Sequence, residues 1–369
     1  MPLLSNKIKM ATESASETCA RIVFRNRPGV DKVPTESNFA LERMEIPQCK
    51  EGEILVKTLY LSVDPYMRCR MNENTGAAYL TSWTIGEPPA GGGVGKVVRS
   101  DSQKFKVGDI VESFAWPWQE FVVFSDGNPN LSKEKSPFLC TSPSLLLGIV
   151  GLTGLTSYFG IKERAHITAG ADQTVLISGA AGACGMAAGQ IARLEGCGTI
   201  IGICGSDEKC CFLTKEMGFD DAINYKTTKN ISEQIRMKCT TVNQQDKLSI
   251  NPCLFQVIRC MNEDSHVVLC GQISVYNEDV PYPPPIPQDI QCILKDRNIT
   301  RDRYQVISYM EKFPDGKKQL ETWVREGRLK NRETIVEGLE NTGRAFVDMM
   351  SGGNIGKQVV KVAEVTGSK

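Results

Sequence analysis

The chain has 369 residues, which at roughly 150 residues per domain predicts two domains. Lysine plus arginine and aspartate plus glutamate both number 43, so the formal net charge is zero. That balance argues against nucleic acid or an anionic membrane surface as the main partner. Hydrophobic residues make up 41% and charged residues 23%, a composition that excludes disorder, collagen and a coiled coil.

Cysteine and histidine usage limits the chemistry. The fourteen cysteines are scattered through the chain, which favours reduced thiols and a cytoplasmic protein over a disulfide scaffold. The only histidines are His166 and His266, and no Cys-x-x-Cys pair occurs. A catalytic zinc needs three protein ligands, and no local cluster supplies them. We therefore expect no bound metal.

Two segments resemble targeting or membrane sequences. Residues 1–20 lack the apolar core of a secretory signal, so we expect a flexible leader there. Residues 136–161 carry no charge and are nearly long enough to span a bilayer. Four glycines interrupt the apolar part, which favours a buried helix in a protein core. We expect no membrane span.

The first part of the chain has β character. Short runs rich in β-branched and aromatic residues alternate with turn residues, a pattern typical of an antiparallel barrel or sandwich. The predicted strands are 21–24, 53–63, 95–98, 110–114 and 120–124.

An α/β rhythm follows. Strands at 174–178, 199–204, 222–224 and 266–270 alternate with helices, one of them at 207–217, which predicts a parallel doubly wound sheet. A helical stretch at 305–327, broken near 313–316, precedes β character at 333–336 and 357–362. A chain that begins and ends in β structure predicts that its two ends share one domain. We therefore expect a barrel-like domain of 21–140 and 320–369 around a nucleotide-binding domain of 141–319.

A glycine-rich turn joins the first predicted parallel strand to a helix. Gly182 and Gly185 fit the second and third glycines of the dinucleotide-binding pattern G-x-G-x-x-G, with Ala180 in place of the first. Small residues there let backbone N–H groups approach a pyrophosphate at the positive end of a helix. An ordinary tight turn remains the alternative.

The end of the second strand distinguishes NAD from NADP. An NAD site places an acid about 20 residues beyond the glycines to bind the ribose 2′-hydroxyl. Gly205 and Ser206 stand at that distance, and Lys209 follows, which suits a 2′-phosphate. Asp207 and Glu208 also lie nearby, but acids in a first helical turn favour the helix dipole. The pattern favours NADP(H).

Several motifs together resemble one known family, the zinc-independent leukotriene and prostaglandin reductases of the medium-chain dehydrogenase/reductase superfamily. The likeness runs from about residue 21 to residue 362. The motifs are LSVDPYMRCR at 61–70, GLTGLTSYFG at 151–160, SGAAGACG at 178–185, CGQISVY at 270–276 and GGNIGK at 352–357.

The resemblance implies an α/β fold with a GroES-like β-barrel catalytic domain, an inserted Rossmann domain, and NADPH in the cleft between them. It places the pyrophosphate against the glycine turn, the 2′-phosphate against Lys209 and Tyr225, and the nicotinamide side against Asn354. The cofactor-lining residues that it implies are Gly182, Ala183, Cys184 and Gly185 in the turn and Cys270, Gly271, Gln272, Ile273, Ser274, Val275 and Tyr276 after a strand.

The resemblance also implies a reaction. Hydride from NADPH reduces the conjugated 13,14 double bond of a 15-oxoprostaglandin, and the resulting enolate is then protonated. Hydrogen bonds must meet the charge that develops on the carbonyl oxygen, and Tyr276 is the candidate donor. The stretches that match the substrate-facing segments of the family are Phe114 with Ala115, and Tyr304, Gln305 and Val306.

One segment departs from the family. Residues 238–259 lack the apolar strand ending in Asn-Val-Gly that the family carries there, and the run 243–247 is too polar for a buried strand. Because of this departure, a non-catalytic nucleotide-binding protein stays open as an alternative. A general alkenal or quinone reductase is the other alternative. The sequence leaves open whether the protein is a monomer or a homodimer.

Overall fold

A computed structural model describes residues 18–76, 80–238, 244–247, 253–280 and 284–365. Its strands form three sheets within that part of the chain. In chain order, the strands are β1 Thr18–Phe24, β2 Phe39–Glu45, β3 Glu53–Ser62, β4 Ala90–Ser100, β5 Ile110–Pro117, β6 Phe121–Ser125, β7 Leu131–Lys133, β8 Thr174–Ser178, β9 Thr199–Cys204, β10 Asp221–Asn224, β11 Gln244–Lys247, β12 His266–Leu269, β13 Thr300–Arg303, β14 Glu333–Glu337 and β15 Lys357–Lys361.

The α-helices lie between these strands. Short 3-10 segments occur at Glu36–Asn38, Pro143–Leu147, Ile273–Val275, Val306–Lys312 and Leu339–Asn341. The α-helices are α1 Met67–Arg70, α2 Pro137–Thr141, α3 Leu152–Arg164, α4 Ala183–Leu194, α5 Asp207–Lys215, α6 Ile231–Lys238, α7 Cys253–Ile258, α8 Gln288–Asp296, α9 Phe313–Arg325 and α10 Thr342–Met350.

The two ends of the chain share one sheet. Its order is β14-β15-β3-β4-β5-β7, with β6 paired to β3, and β15 runs antiparallel to β3. Beneath it, aromatic side chains from distant segments pack edge to face, including Phe39 against Phe346 with ring centroids 6.0 Å apart. This sheet, in which the C-terminal strand β15 pairs with the early strand β3, is the GroES-like half of the expected fold.

The second half is a parallel sheet of six strands. Its order, β10-β9-β8-β11-β12-β13, is the 3-2-1-4-5-6 order of a Rossmann domain. Every residue of β8 is buried, as expected for a strand covered by helices on both faces. The predicted doubly wound sheet is confirmed.

The strand β11 corrects one expectation. The polarity of the run 243–247 argued against a buried strand, but residues 244–247 do form a strand. That segment pairs in parallel with β8 on one side and with β12 on the other. Parallel pairing uses backbone N–H and C=O groups, which every non-proline residue provides, so polarity alone does not exclude a strand. Position 243 lies outside the described residues.

Smaller corrections concern element boundaries. The flexible leader was expected over 1–20, but residues 18–20 belong to β1 and Cys19 is fully buried; residues 1–17 lie outside the described part. The break expected near 313–316 is confirmed, because the 3-10 segment ends at Lys312 and α9 starts at Phe313 with Pro314 in its first turn. Proline there removes no helical hydrogen bond.

The uncharged segment 136–161 folds into α2, a 3-10 turn and most of α3. Seven of the thirteen residues of α3 are buried. None of the helices in the described part of the chain has the length and apolar character that crossing a membrane requires.

Candidate active site

The turn after β8 has the geometry that the glycine pattern predicted. Gly179 adopts a positive φ of 63°, so the tight-turn position falls on this glycine rather than on Ala180. Gly182 precedes α4 in an extended conformation and donates its N–H to Gly179 O at 2.9 Å. A Cβ at Gly185 would lie 2.5 Å from Gly179 O, so only glycine allows α4 to approach the strand this closely.

The first turn of α4 can therefore hold a phosphate. Ala183 and Cys184 begin the helix, and the absence of large side chains leaves its positive end accessible. Ser157 donates to Cys184 O at 2.8 Å and fixes this turn against α3. Burial raises the pKa of the Cys184 thiol to about 12, so the side chain stays neutral at physiological pH.

At the end of β9, the structure brings together the residues predicted to bind the 2′-phosphate. A Cβ at Gly205 would lie 3.0 Å from Tyr225 Oη, so the tyrosine covers this glycine. Ser206 caps α5 and accepts Lys209 N–H at 3.2 Å. Asp207 accepts a hydrogen bond from Asn224 at 2.7 Å. Lys209 is thus the cation at this position.

The GGNIGK segment crosses from the barrel domain to this region. Lys209 Nζ donates to Gly352 O at 2.8 Å, and burial lowers the pKa of the lysine. Gly356 N–H donates to Ala181 O at 2.7 Å, and Asn354 Nδ2 donates to Gly356 O at 2.7 Å. The loop that carries Asn354 is therefore bonded directly to the glycine turn.

A buried ion pair supports the same loop. Lys357 Nζ donates to Asp64 Oδ1 and to Val63 O, both at 2.9 Å. Ser62 Oγ donates to the other carboxylate oxygen of Asp64. The Lys357 side chain is only 2% exposed. This pair joins the SVDP segment of the barrel to the glycine turn.

Between the domains lies a cavity of about 750 Å³. Ligand sites of drug size are typically ~300–1,000 Å³, so a lipid-sized molecule fits the volume. The lining combines apolar with charged and polar side chains. The lining residues are Arg27, Gly29, Val30, Tyr66, Cys69, Asn72, Glu73, Asn74, Thr75, Gly76, Leu80, Val275, Tyr276, Glu278, Asp279 and Val280.

Tyr276 belongs both to this cavity and to the predicted cofactor loop. Its phenolic oxygen accepts Gln272 N–H at 3.2 Å, which holds the ring back against the loop. Gln272 itself is 1% exposed, and neither atom of its side-chain amide makes a hydrogen bond within the described part of the chain. A buried amide of this kind normally has a partner, so it fits a bound polar group.

The loop that carries Gln272 and Tyr276 begins directly after β12, at the carboxyl edge of the sheet. Ligands of open α/β sheets bind outside this edge. Cys270 packs against the core of the Rossmann domain, and Ile273 packs against the core of the barrel. The loop thus spans the cleft. Its members are Cys270, Gly271, Gln272, Ile273, Ser274, Val275 and Tyr276.

The predicted substrate-facing stretches lie in different places. Phe114 is 45% exposed and lines a second, small cavity of about 30 Å³ next to Asp64 and Tyr66. Ala115, the next residue, is also exposed. Neither Phe114 nor Ala115 lines the larger cavity. Their contact with substrate stays a prediction.

Tyr304, Gln305 and Val306 lie beside α3 instead. Tyr304 is 3% exposed and stands with its ring centroid 5.8 Å from that of Tyr309. Val306 packs against the hydrophobic cluster to which Tyr304 belongs. None of the three lines either cavity as the described residues define it. Their contact with substrate likewise stays a prediction.

Some residues at the site belong to the sequence motifs, but the sequence predicted no function for them. Tyr66 lines both cavities, and burial raises its pKa. Arg68 and the Asp64–Lys357 pair are buried next to it. Their places in SVDPYMR and GGNIGK were the available signal, but spacing along the chain did not show that the two motifs meet.

The structure also bears on metal ligands. Among the described residues, no group of three or more His, Cys, Asp or Glu side chains is placed to hold a metal ion. The two histidines face each other with ring centroids 4.4 Å apart, and neither lines the 750 Å³ or the 30 Å³ cavity.

Two family models match the chain. The N-terminal domain of oxidoreductase matches residues 21–131, and a model described as zinc-binding dehydrogenase matches residues 183–312. The first match covers the N-terminal strands of the barrel domain, and the second begins at the first residue of α4 and covers β9 to β13. Fold and site together define a dehydrogenase or reductase with a nucleotide-binding domain.

Individual relatives match over nearly the full length. The putative NADP-dependent oxidoreductase YfmJ of Bacillus subtilis (strain 168) is 38% identical over 333 residues, 90% of this chain and 95% of the relative. Prostaglandin reductase 1 of Rattus norvegicus is 38% identical over 337 residues, 89% of this chain and 95% of the relative. The crystal structure of CurA from Vibrio vulnificus in complex with NADPH has a TM-score of 0.83 and 31% identity, covering 94% of this chain and 99% of CurA.

These relatives settle the family. The chain belongs to the medium-chain dehydrogenase/reductase superfamily, in the zinc-independent branch of the leukotriene and prostaglandin reductases. The resemblance stated from the motifs is confirmed.

Proposed function

We propose that the protein is an NADPH-dependent reductase of α,β-unsaturated ketones and that its substrate is a 15-oxoprostaglandin. The observation that carries the proposal is the position of Tyr276, which lines the 750 Å³ cavity and ends the loop that follows β12. A hydrogen-bond donor there meets a substrate carbonyl beside the nucleotide-binding edge of the sheet. The coarser activity, an NADP-dependent oxidoreductase, agrees with the names of the relatives.

The cofactor assignment is supported by the residues that would hold it. Gly182, Ala183, Cys184 and Gly185 would meet the pyrophosphate through the first turn of α4. Lys209 and Tyr225 would meet the 2′-phosphate at the end of β9, where Asp207 already accepts a hydrogen bond from Asn224 and Glu208 lies in the first turn of α5. Asn354, Gln272 and the rest of the loop would face the nicotinamide side.

Each side chain at the cavity then has a chemical task. When bound, NADPH supplies the hydride that adds to the β-carbon of the enone. Negative charge develops on the carbonyl oxygen, and a hydrogen bond from Tyr276 stabilises it. The N–H of Gln272, by donating to the phenolic oxygen at 3.2 Å, orients the tyrosine and strengthens it as a donor. The enolate is then protonated at the α-carbon.

The cavity suits an amphipathic acid that carries an enone. Val30, Leu80 and Val275 offer an apolar surface for an alkyl chain. Arg27 adds a cation at the same cavity; its guanidinium donates to Met71 O at 2.8 Å and lies 3.9 Å from Glu73, and Glu278 and Asp279 also line the cavity. A small alkenal or a quinone would leave most of this surface uncovered. That difference favours a long lipid enone.

Comparing acceptors tests the substrate. Purified protein is assayed for oxidation of NADPH and of NADH with a 15-oxoprostaglandin, a short alkenal and a quinone. We expect the highest kcat/KM with the 15-oxoprostaglandin and NADPH. A higher value with the quinone or alkenal would instead establish the general reductase, and absence of both binding and turnover would establish the non-catalytic protein.

Replacing the proposed donor tests the mechanism. Tyr276→Phe should lower kcat about a hundredfold, the usual effect of losing one donor to a developing oxyanion. The matched control is Tyr309→Phe, since Tyr309 stacks on Phe159 at 5.3 Å and does not line the cavity. Equal turnover by the two variants would remove Tyr276 from the mechanism.

A cytoplasmic location is also part of the proposal. Twelve cysteines among the described residues are free thiols, including Cys204 and Cys210 with their sulfur atoms 3.3 Å apart. Unpaired cysteines in this number are typical of proteins from a reducing compartment. Localisation of the tagged full chain in cells tests this proposal.

A further inference from the structure

Arg68 is a buried cation to which the proposed mechanism assigns no task. It lies in α1, directly after the SVDP segment, and is 0% exposed. Burial lowers the pKa of its guanidinium. No carboxylate in the described part of the chain forms an ion pair with it, so neutral oxygens alone compensate the charge. An arrangement this costly calls for a structural or functional reason.

The guanidinium reaches three separate segments of the chain. Nε donates to Asn277 Oδ1 at 2.9 Å, and Nη1 donates to Asn72 Oδ1 at 2.8 Å. Nη2 donates to Gly29 O at 2.7 Å and to Lys32 O at 2.9 Å. A planar fork of fixed N–H directions holds these acceptors at fixed angles, which an ammonium group would not do.

Those three segments are walls of the 750 Å³ cavity. Gly29 and Asn72 line it from the barrel domain, and Tyr276, next to Asn277, lines it from the Rossmann domain. Arg68 itself lies behind the walls. One further bond joins the same two domains beside it, from Asp279 N–H to Asp31 Oδ1 at 2.7 Å. Arg68 is thus positioned to set the spacing of the walls.

We infer that Arg68, acting through Asn277, is a positioning residue that holds Tyr276 at the carbonyl oxygen of the enone. This inference rests on the proposed function and extends it to a residue that never touches substrate. The bond to Asn277 fixes the residue after Tyr276, while the bond from Gln272 N–H fixes the tyrosine from the preceding side. Small displacements of a reacting group lower the rate steeply, which makes such a support effective.

The test removes the bond between the domains and leaves Arg68 in place. Asn277→Ala should lower kcat about tenfold, the effect of losing a hydrogen bond to a charged group. Asn277→Asp keeps the acceptor oxygen and should restore most of the wild-type kcat. Arg68→Lys should resemble Asn277→Ala, because an ammonium group replaces the fork.

The control is a second arginine that bonds to backbone carbonyls. Arg297 Nη1 donates to Arg259 O at 3.1 Å and to Met261 O at 2.7 Å, inside the Rossmann domain and away from the cavity. Arg297→Lys should leave kcat unchanged. Thermal unfolding of each variant shows whether a lost rate reflects a lost fold.

A double variant separates positioning from general weakening. If Asn277 acts through Tyr276, adding Asn277→Ala to Tyr276→Phe should lower kcat no further. Additive losses, or no loss in Asn277→Ala alone, would overturn the inference while the wild-type enzyme stays active. Absence of enone reduction by the wild-type protein would instead overturn the proposed function.

Discussion

The two ends of the cleft are built in different ways. At the cofactor end, residues 179–185 are contiguous, and backbone atoms in close contact define the shape, as with Gly185 against Gly179 O. At the cavity end, the residue that binds both walls, Arg68, is separated from Asn277 by 209 positions. The shape of the cofactor end depends on small residues that let backbone atoms come close together. The shape of the cavity end depends on long side chains that form hydrogen bonds across the domains.

This difference predicts different consequences of substitution. A change at the cofactor end should alter nucleotide binding, because backbone groups there are the proposed contacts of the phosphates. A change at the cavity end should alter turnover, because side chains there are the proposed contacts of the acceptor. The Asp64–Lys357 pair connects the ends and should affect both.

The largest effect is expected where the two ends are joined. Lys357→Met leaves the Asp64 carboxylate buried without its partner, and breaking such a pair costs about 3–5 kcal/mol of unfolding free energy. Urea denaturation measures this loss. Lys361→Met is the matched control in the same strand, since Lys361 pairs with an exposed Glu364 at 2.6 Å. Similar losses of unfolding free energy in the two variants would show that the buried Lys357 pair contributes no more to stability than the exposed Lys361 pair.

The next effect concerns the cofactor end alone. In Gly185→Ala, the new Cβ would lie 2.6 Å from Ala180 Cα, so α4 must move away from the strand. We expect a loss of about 1–3 kcal/mol in stability, as for an overpacked core, and weaker NADPH binding. Gly160→Ala is the control, because its Cβ would lie 3.6 Å from Tyr304 in ordinary contact. Calorimetric titration measures the affinity of each variant for NADPH. An affinity of Gly185→Ala equal to that of the wild type and of Gly160→Ala would contradict the close packing of the turn.

The smallest effect is expected in cofactor preference. Lys209→Met should weaken NADPH binding about tenfold by removing a charge-assisted hydrogen bond, and should leave NADH binding unchanged. Lys215→Met, exposed at the other end of α5, is the control. Titration of each variant with both nucleotides measures the preference. A parallel loss of NADH affinity would mean that Lys209 supports the loop through Gly352 rather than selecting the phosphate.

The success of prediction from sequence followed the same division. Strands β8 and β9 were placed to the residue, since each is an uninterrupted apolar run with a clear boundary. The strand β11 was missed because its polar sequence carries no burial signal, although both neighbours pair with its backbone. The polar strand β13 was missed for the same reason.

The candidate site was predicted unevenly. The glycine turn and Lys209 follow from local spacing, and the structure places Tyr225 over Gly205 and Lys209 in the first turn of α5 that follows. The resemblance pointed to Tyr276, but neither spacing nor composition indicated that Arg68 would bond to Asn277. Long-range hydrogen bonds leave no periodic trace in a sequence.

The doubly wound sheet, the glycine turn and the family could be read from the sequence, because periodicity, glycine placement and short motifs are local properties of the chain. Which motifs meet became visible in the folded protein: SVDPYMR meets GGNIGK through Asp64 and Lys357, and α1 meets the Tyr276 loop through Arg68. The physical reason is that a cavity wall forms where segments far apart in the chain pack together, and that packing is settled by the shape and charge of the whole fold.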